Sequence, residues 1–175
     1  MRKMYMVLLA TILISASSFG QKGKSFIGAG ADLSLPTGEF GDLFKTGTGF
    51  YIKGMFGVGT TGQVTLTSGF SKFKEAGDWE DFVATESAVP LLIGYRHNFN
   101  GFFVEPQLGY SIYNYKENTG WTDTDGAFTW AAGIGYVFNN KIEVGARYQS
   151  GGKDGWNVQM FGLRLGYNFS LNASK

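Results

Sequence analysis

Seven charged side chains stand out because their surroundings are so poor in charge: Asp32, Lys53, Arg96, Glu105, Glu143, Arg147 and Arg164. Each lies in a segment where large apolar residues recur at every second position, and each falls between two positions of the apolar set. Small and polar residues, mainly Gly, Ser, Thr, Gln and Tyr, share their face. Charges of both signs on such a face suit ion pairs in a narrow polar interior, where an unpaired charge would be costly. The expected role is structural. A proton or ion path through the same seven groups is the functional alternative.

Other candidate chemistry is thin. His97 is the sole histidine, and it falls on the apolar parity with no matched serine partner at a spacing that would make it a general base. One histidine and no cysteine leave little for a metal site. Asp123-Thr124-Asp125-Gly126 carries part of a calcium-loop pattern without the distal glutamate, and reads as a solvated turn. Gly28-x-Gly30 and Gly133-x-Gly135 lack the third glycine and the strand-to-helix setting of a nucleotide site, and Gly151-Gly152-Lys153 lacks the rest of a phosphate loop. No catalytic residue, cofactor or metal is expected, and the protein is not expected to be an enzyme.

The elements that position the seven charges are strands. Residues 156–169 show the pattern most plainly: Phe161, Leu163, Leu165, Tyr167 and Phe169 alternate with Gly162, Arg164, Gly166 and Asn168. A period of two is that of a strand with unlike faces. Similar segments are expected at about 25–35, 47–58, 64–70, 87–97, 102–113, 127–138 and 141–149. Residues 59–62, 98–101 and 139–140 read as tight turns, the last a two-residue hairpin. Longer loops are expected at 36–46, 71–86, 114–126 and 150–155. Pro90 cannot donate to a ladder and is expected near a strand end or a bulge.

Which face meets solvent follows from charge density. A water-facing surface carries about 25–35% charged residues, far more than the polar face here. Aromatics gather toward the strand ends, with Phe56, Tyr95, Phe99, Phe102, Phe138, Tyr167 and Phe169 toward one rim and Phe50, Phe70, Tyr110, Phe128, Trp130 and Tyr148 toward the other. Such girdles mark membrane barrels, whose amphipathic rings favour the headgroup zone. The apolar face is therefore expected to meet lipid.

Residues 1–20 read as a cleavable signal peptide: Arg2 and Lys3, an apolar run over 6–14, then small residues before Gln21. Removing Arg2 and Lys3 takes the formal charge from +1 to −1, so no basic field for nucleic acid remains. The domain is then residues 21–175. The loops 71–86 and 114–126 carry net charges of −3 and −2 and hold Phe73, Trp79, Phe82, Tyr115 and Trp121, candidate anchors for an external partner.

On the alternating segments 27–35, 89–96, 102–112, 127–138 and 162–169, the chain resembles the small outer-membrane β-barrel family that includes the OmpA transmembrane domain, OmpX-like proteins and outer membrane protein beta-barrel domain proteins. The resemblance implies an all-β fold, an eight-stranded antiparallel up-and-down transmembrane barrel, in the outer membrane of a Gram-negative bacterium. Outer-membrane lipid and the assembly machinery are the implied partners. Many members end on an aromatic signal residue; here Tyr167-Asn168-Phe169 is followed by residues 170–175, so either that signal is internal or the last strand runs on through Leu171. The expected role is structural or adhesion-like, through loops 36–46, 71–86, 114–126 and 150–155. A small-molecule conduit, a lipid-modifying enzyme using His97 and a soluble periplasmic ligand-binding barrel are the alternatives.

Overall fold

The structure is a computed structural model and describes residues 24–58, 60–74, 85–117, 120–153 and 156–171. The expected signal peptide lies outside them, as do Trp79 and Phe82. Eight strands form one closed sheet in chain order: β1 (Ser25–Thr37), β2 (Gly47–Val58), β3 (Gly62–Lys74), β4 (Thr85–Phe99), β5 (Phe102–Lys116), β6 (Thr122–Phe138), β7 (Ile142–Lys153) and β8 (Trp156–Ser170). Every neighbouring pair is antiparallel, including β1 with β8. Closure removes the unpaired edges that no membrane interior would tolerate.

Register fixes the tilt. Following paired residues once around, Ile27 leads through Gly54, Leu66, Ile93, Leu108, Trp130, Ser150 and Gln159 back to Thr37, ten residues further along β1. Ten residues at about 3.3 Å each, over eight strand spacings of about 4.8 Å, tilt the strands by roughly 40°. The interior of so small a barrel is narrow enough for side chains to fill.

The faces divide as alternation requires. Phe50, Phe102, Ile134 and Leu165 are 61%, 64%, 62% and 59% exposed, whereas Arg96, Lys53, Glu143 and Glu105 are 1–3% exposed. Large apolar side chains thus cover the outside and charges occupy the axis. That is untenable in water and expected in lipid.

Strands run further than the sequence pattern predicts at the end with the longer connections. Ser71–Lys74 belong to β3, Thr85 and Glu86 to β4, Asn114–Lys116 to β5, Thr122–Gly126 to β6, and Ser150–Lys153 to β7. The expected loops shrink accordingly. Asp123 to Gly126 is strand rather than turn, and β7 and β8 are joined by only two residues. Within 36–46, Pro36 and Thr37 extend β1, and Glu39–Leu43 form a short helix, α1, entered through Gly38 at φ 60°. Its Phe40 is buried against Phe44 and Phe73 inside the barrel mouth at this end.

Pro90 lies within β4, away from its ends. Its missing N–H is met by a lapse in pairing: the β3–β4 register runs from Ser68↔Leu91 to Ser71↔Ala88 with no pair between. The turns at the other end behave as expected. Asn139 and Asn140 take φ of 50° and 56°, and Asn100 and Gly101 take 51° and 96°. Two consecutive positive φ angles give the mirror-image turn whose twist matches a hairpin.

Candidate functional site

The seven predicted charges all face the lumen, where the ten-residue stagger gathers them into two clusters. In the inner cluster Lys53 of β2, Arg96 of β4, Glu105 of β5 and Glu143 of β7 meet across the axis. Lys53 Nζ donates to Glu105 Oε2 at 2.9 Å and to Glu143 Oε1 at 3.2 Å. Arg96 donates from Nε and Nη2 to Glu105 Oε2 at 3.0 and 2.7 Å, and from Nη1 and Nη2 to the two oxygens of Glu143 at 2.8 Å each. Two cations face two anions, and each carboxylate bonds both cations. Charge-assisted pairs of this kind are strong when desolvated and fully partnered. The remaining lone pairs are served by Thr65 and Gln107, both at 2.8 Å from Glu105 Oε1, and by Asn168 at 3.3 Å from Glu143 Oε2.

Further along the axis lies the second cluster. Arg164 Nε donates to Asp32 Oδ2 at 2.8 Å, and Arg147 Nη2 donates to the same oxygen at 3.3 Å. Ser34 Oγ donates to Asp32 Oδ1 at 3.3 Å. Here two cations share one anion, and Nε and Nη1 of Arg147 find no hydrogen-bond partner among the described residues. Between the clusters the void is about 10 Å³, room for about one water.

Parity placed the charges and put Tyr51 on their face, but sequence reading missed Phe103, the second ring that carries them. Arg96 lies 3.7 Å from the centroid of Phe103, and Arg164 lies 4.5 Å from that of Tyr51. Both rings sit on the polar face of their strands and are buried. A desolvated cation over a ring face gains about 2 kcal/mol.

Above the second cluster the lumen turns apolar. Phe40, Phe44, Phe73, Ala88, Tyr113, Ala127, Val158 and Met160 pack into one cluster under the mouth. Phe73, expected as an exposed loop anchor, is fully buried there with its ring 5.2 Å from Phe40. Lumen parity continues through Thr65, Thr67 and Ser71 to Phe73, so the side chain turns inward. Tyr115 is half-buried against this cluster, and Trp121 is exposed at the rim with its ring 6.2 Å from Tyr115.

His97 lies at the opposite rim on the outward face. Its Nδ1 is 3.4 Å from the Tyr95 hydroxyl, and its ring is 4.5 Å from Phe99. Among the described residues no group of three or more His, Cys, Asp or Glu side chains is placed to hold a metal ion.

A closed antiparallel barrel with lipid-compatible walls and a charged axis has a family. The model of the outer membrane protein beta-barrel domain matches residues 6–169. The chain belongs to that family. Solved structures of the same fold include Ail, the attachment invasion locus protein of Yersinia pestis, at 18% identity and a TM-score of 0.65, covering 85% of this chain and all of Ail. The N-terminal barrel of Pseudomonas aeruginosa OprF aligns at 14% identity and a TM-score of 0.60, with 85% and 100% covered. Neisserial surface protein A aligns at 14% identity and a TM-score of 0.54, with 84% and 97% covered. No curated protein matches in sequence. This family member is an outer-membrane β-barrel protein of a Gram-negative bacterium. The short connections from β2 to β3, β4 to β5 and β6 to β7 then face the periplasm, and the end bearing α1 faces outward.

Proposed function

We propose that this barrel is a sealed surface protein: a membrane-anchored scaffold that presents its outer rim to partners and does not conduct. The observation that carries this reading is the inner cluster. Arg96 and Lys53 join Glu105 and Glu143 across the axis, all nearly inaccessible to solvent. A conduit would need those contacts to open, and each broken pair would strand a buried charge. The apolar cluster under the mouth adds a second seal.

Ail, of the same fold, is named for attachment and invasion and was solved with the heparin analogue sucrose octasulfate. An attachment role at the outer rim fits this chain in architecture. The ligand chemistry differs, because segments 71–86 and 114–126 are net acidic and favour cationic partners over sulfated ones.

Planar-bilayer recording of the refolded mature chain tests the reading. The expected trace has no steady ohmic current. A stable conductance like that of an open porin would overturn it.

A further inference from the structure

The outer mouth contains a buried carboxylate that the seal does not use. Glu86, the second residue of β4, is 2% exposed, and its Oε1 has no hydrogen-bond partner among the described residues. Nor does it join an ion pair there. A buried polar atom without a partner is costly, and more so when charged. It lines a cavity of about 340 Å³ together with Phe44, Tyr113, Tyr115, Asp123 and Asp125. That is within the range of small-molecule sites, roughly 300–1,000 Å³.

Among the described residues no lysine or arginine lines this cavity. Lys72 and Lys74 flank the inward Phe73 on β3 and point to the outer surface, where both are exposed, and Lys116 is likewise exposed on β5. The segment 75–84 contains Glu75, Asp78, Glu80 and Asp81 but no lysine or arginine. The site therefore combines a desolvated carboxylate at its base, aromatic walls and two carboxylates at its lip. Asp123 Oδ1 accepts the Thr124 N–H at 2.9 Å, and Asp125 Oδ1 accepts the Gly126 N–H at 3.2 Å.

We propose that the outer mouth binds an alkylammonium ion, with the ammonium group at Glu86, its carbon chain between Tyr113, Tyr115 and Phe44, and any second amine at Asp123. Rings beside a cation and an aliphatic chain supply both cation–π and apolar contact. A bare divalent ion is a poorer occupant, because the described carboxylates are not grouped to ligate one. This site deepens the surface-interaction reading but does not depend on the seal. Binding can fail in a non-conducting barrel, and a conducting barrel could still bind.

The test is titration of cadaverine into the refolded mature chain in octyl glucoside, avoiding choline detergents whose headgroups are themselves organic cations. Binding is read by calorimetry and by amide chemical shifts. Saturable binding with shifts at Glu86, Tyr113 and Tyr115 is expected. Glu86→Gln, which keeps the shape, should weaken binding at least about tenfold, as expected when one partner of a buried charge pair is lost. Glu39→Gln, on exposed α1, should leave it unchanged. Absence of saturable binding, shifts confined to the lipid-facing surface, equal affinity of the Glu86→Gln variant, or displacement by equimolar calcium would each overturn the proposal. If Glu86→Gln does not refold, the wild-type shift map decides alone. Nα-acetyl-lysine methylamide in place of cadaverine separates a peptide-borne ammonium from a free amine: tighter binding of the lysine derivative points to a protein partner, tighter cadaverine binding to a small molecule.

Discussion

Arg96→Met is the most informative perturbation of the inner cluster. Arg96 makes four hydrogen bonds to Glu105 and Glu143, between 2.7 and 3.0 Å, and is 1% exposed. Methionine fills much of the same volume and stays over Phe103, so packing loss is small. The loss is electrostatic: two buried carboxylates are left with Lys53 alone. Breaking a buried pair from one side costs about 3–5 kcal/mol. With a urea slope of about 2 kcal/mol per molar, a 4 kcal/mol loss moves the unfolding midpoint by about 2 M. Removing Glu143 as well restores balance, since Lys53 and Glu105 remain paired at 2.9 Å. The double variant Arg96→Met/Glu143→Gln should therefore lose less than the two single variants added together, by about 2 kcal/mol. Reversible urea unfolding in phospholipid vesicles, followed by tryptophan fluorescence and by heat-modifiable gel mobility, measures both quantities. A midpoint shift for Arg96→Met worth less than about 1 kcal/mol, the size seen for solvated pairs, would mean that water reaches the cluster. Strict additivity would mean that the four charges do not act as a unit. Either result defeats the idea of a dry seal.

Phe73→Ala should destabilise the barrel by about 3–5 kcal/mol, because a fully buried ring leaves a cavity under the mouth. Trp121→Ala, at the exposed rim, should cost less than about 1 kcal/mol in the same urea titration. Gly30→Val should abolish the folded band on unheated gels, because a Cβ there would meet the Leu165 carbonyl across the β1–β8 seam, whereas Gly54→Ala, with its nearest neighbour 3.6 Å away, should refold normally. His97→Ala should leave the lipid A mass spectrum of expressing cells identical to that with the wild-type chain and with an empty vector, since the ring's described neighbours are Tyr95 and Phe99.

Alternation was enough to assign every strand and to put the seven charges on one face, because a period of two leaves no other choice. The partners were beyond its reach. Lys53 and Glu143 are 90 residues apart in the chain, and they meet because the closed register shifts by ten residues. The outer strand ends were hidden for a different reason. Thr122 to Gly126 and Asn114 to Lys116 extend toward the outer end, where neither face need be greasy, so polar strand resembles loop. Phe73 and Glu86 fell into that zone, were counted as surface, and pair with each other across β3 and β4. Had the lumen parity of Thr65, Thr67 and Ser71 been extended two positions, Phe73 would have been found inside, and Glu86 with it.

Charge is ordered along the axis in a way that reconciles a binding mouth with a closed barrel. The inner cluster is balanced, with Lys53 and Arg96 against Glu105 and Glu143. The second cluster is left one positive charge in excess, Arg147 and Arg164 against Asp32. The mouth is negative, with Glu86, Asp123 and Asp125. An organic cation arriving from outside would meet carboxylates first, then the apolar layer of Phe73, Tyr113 and Val158, and behind it two guanidiniums of its own sign. Attraction at the rim followed by desolvation and repulsion within holds such an ion at the mouth and opposes its passage. Replacing Arg147 with glutamine therefore offers a way to separate holding from passage. It removes the excess cation behind the apolar layer but leaves Arg164 on Asp32 and Glu86 in place. Cadaverine affinity should rise slightly, by less than about fivefold for one screened charge at this remove, while the bilayer remains non-conducting because the inner cluster is untouched. A current appearing in Arg147→Gln alone would place the barrier at the second cluster and remove the inner cluster from its role as the seal.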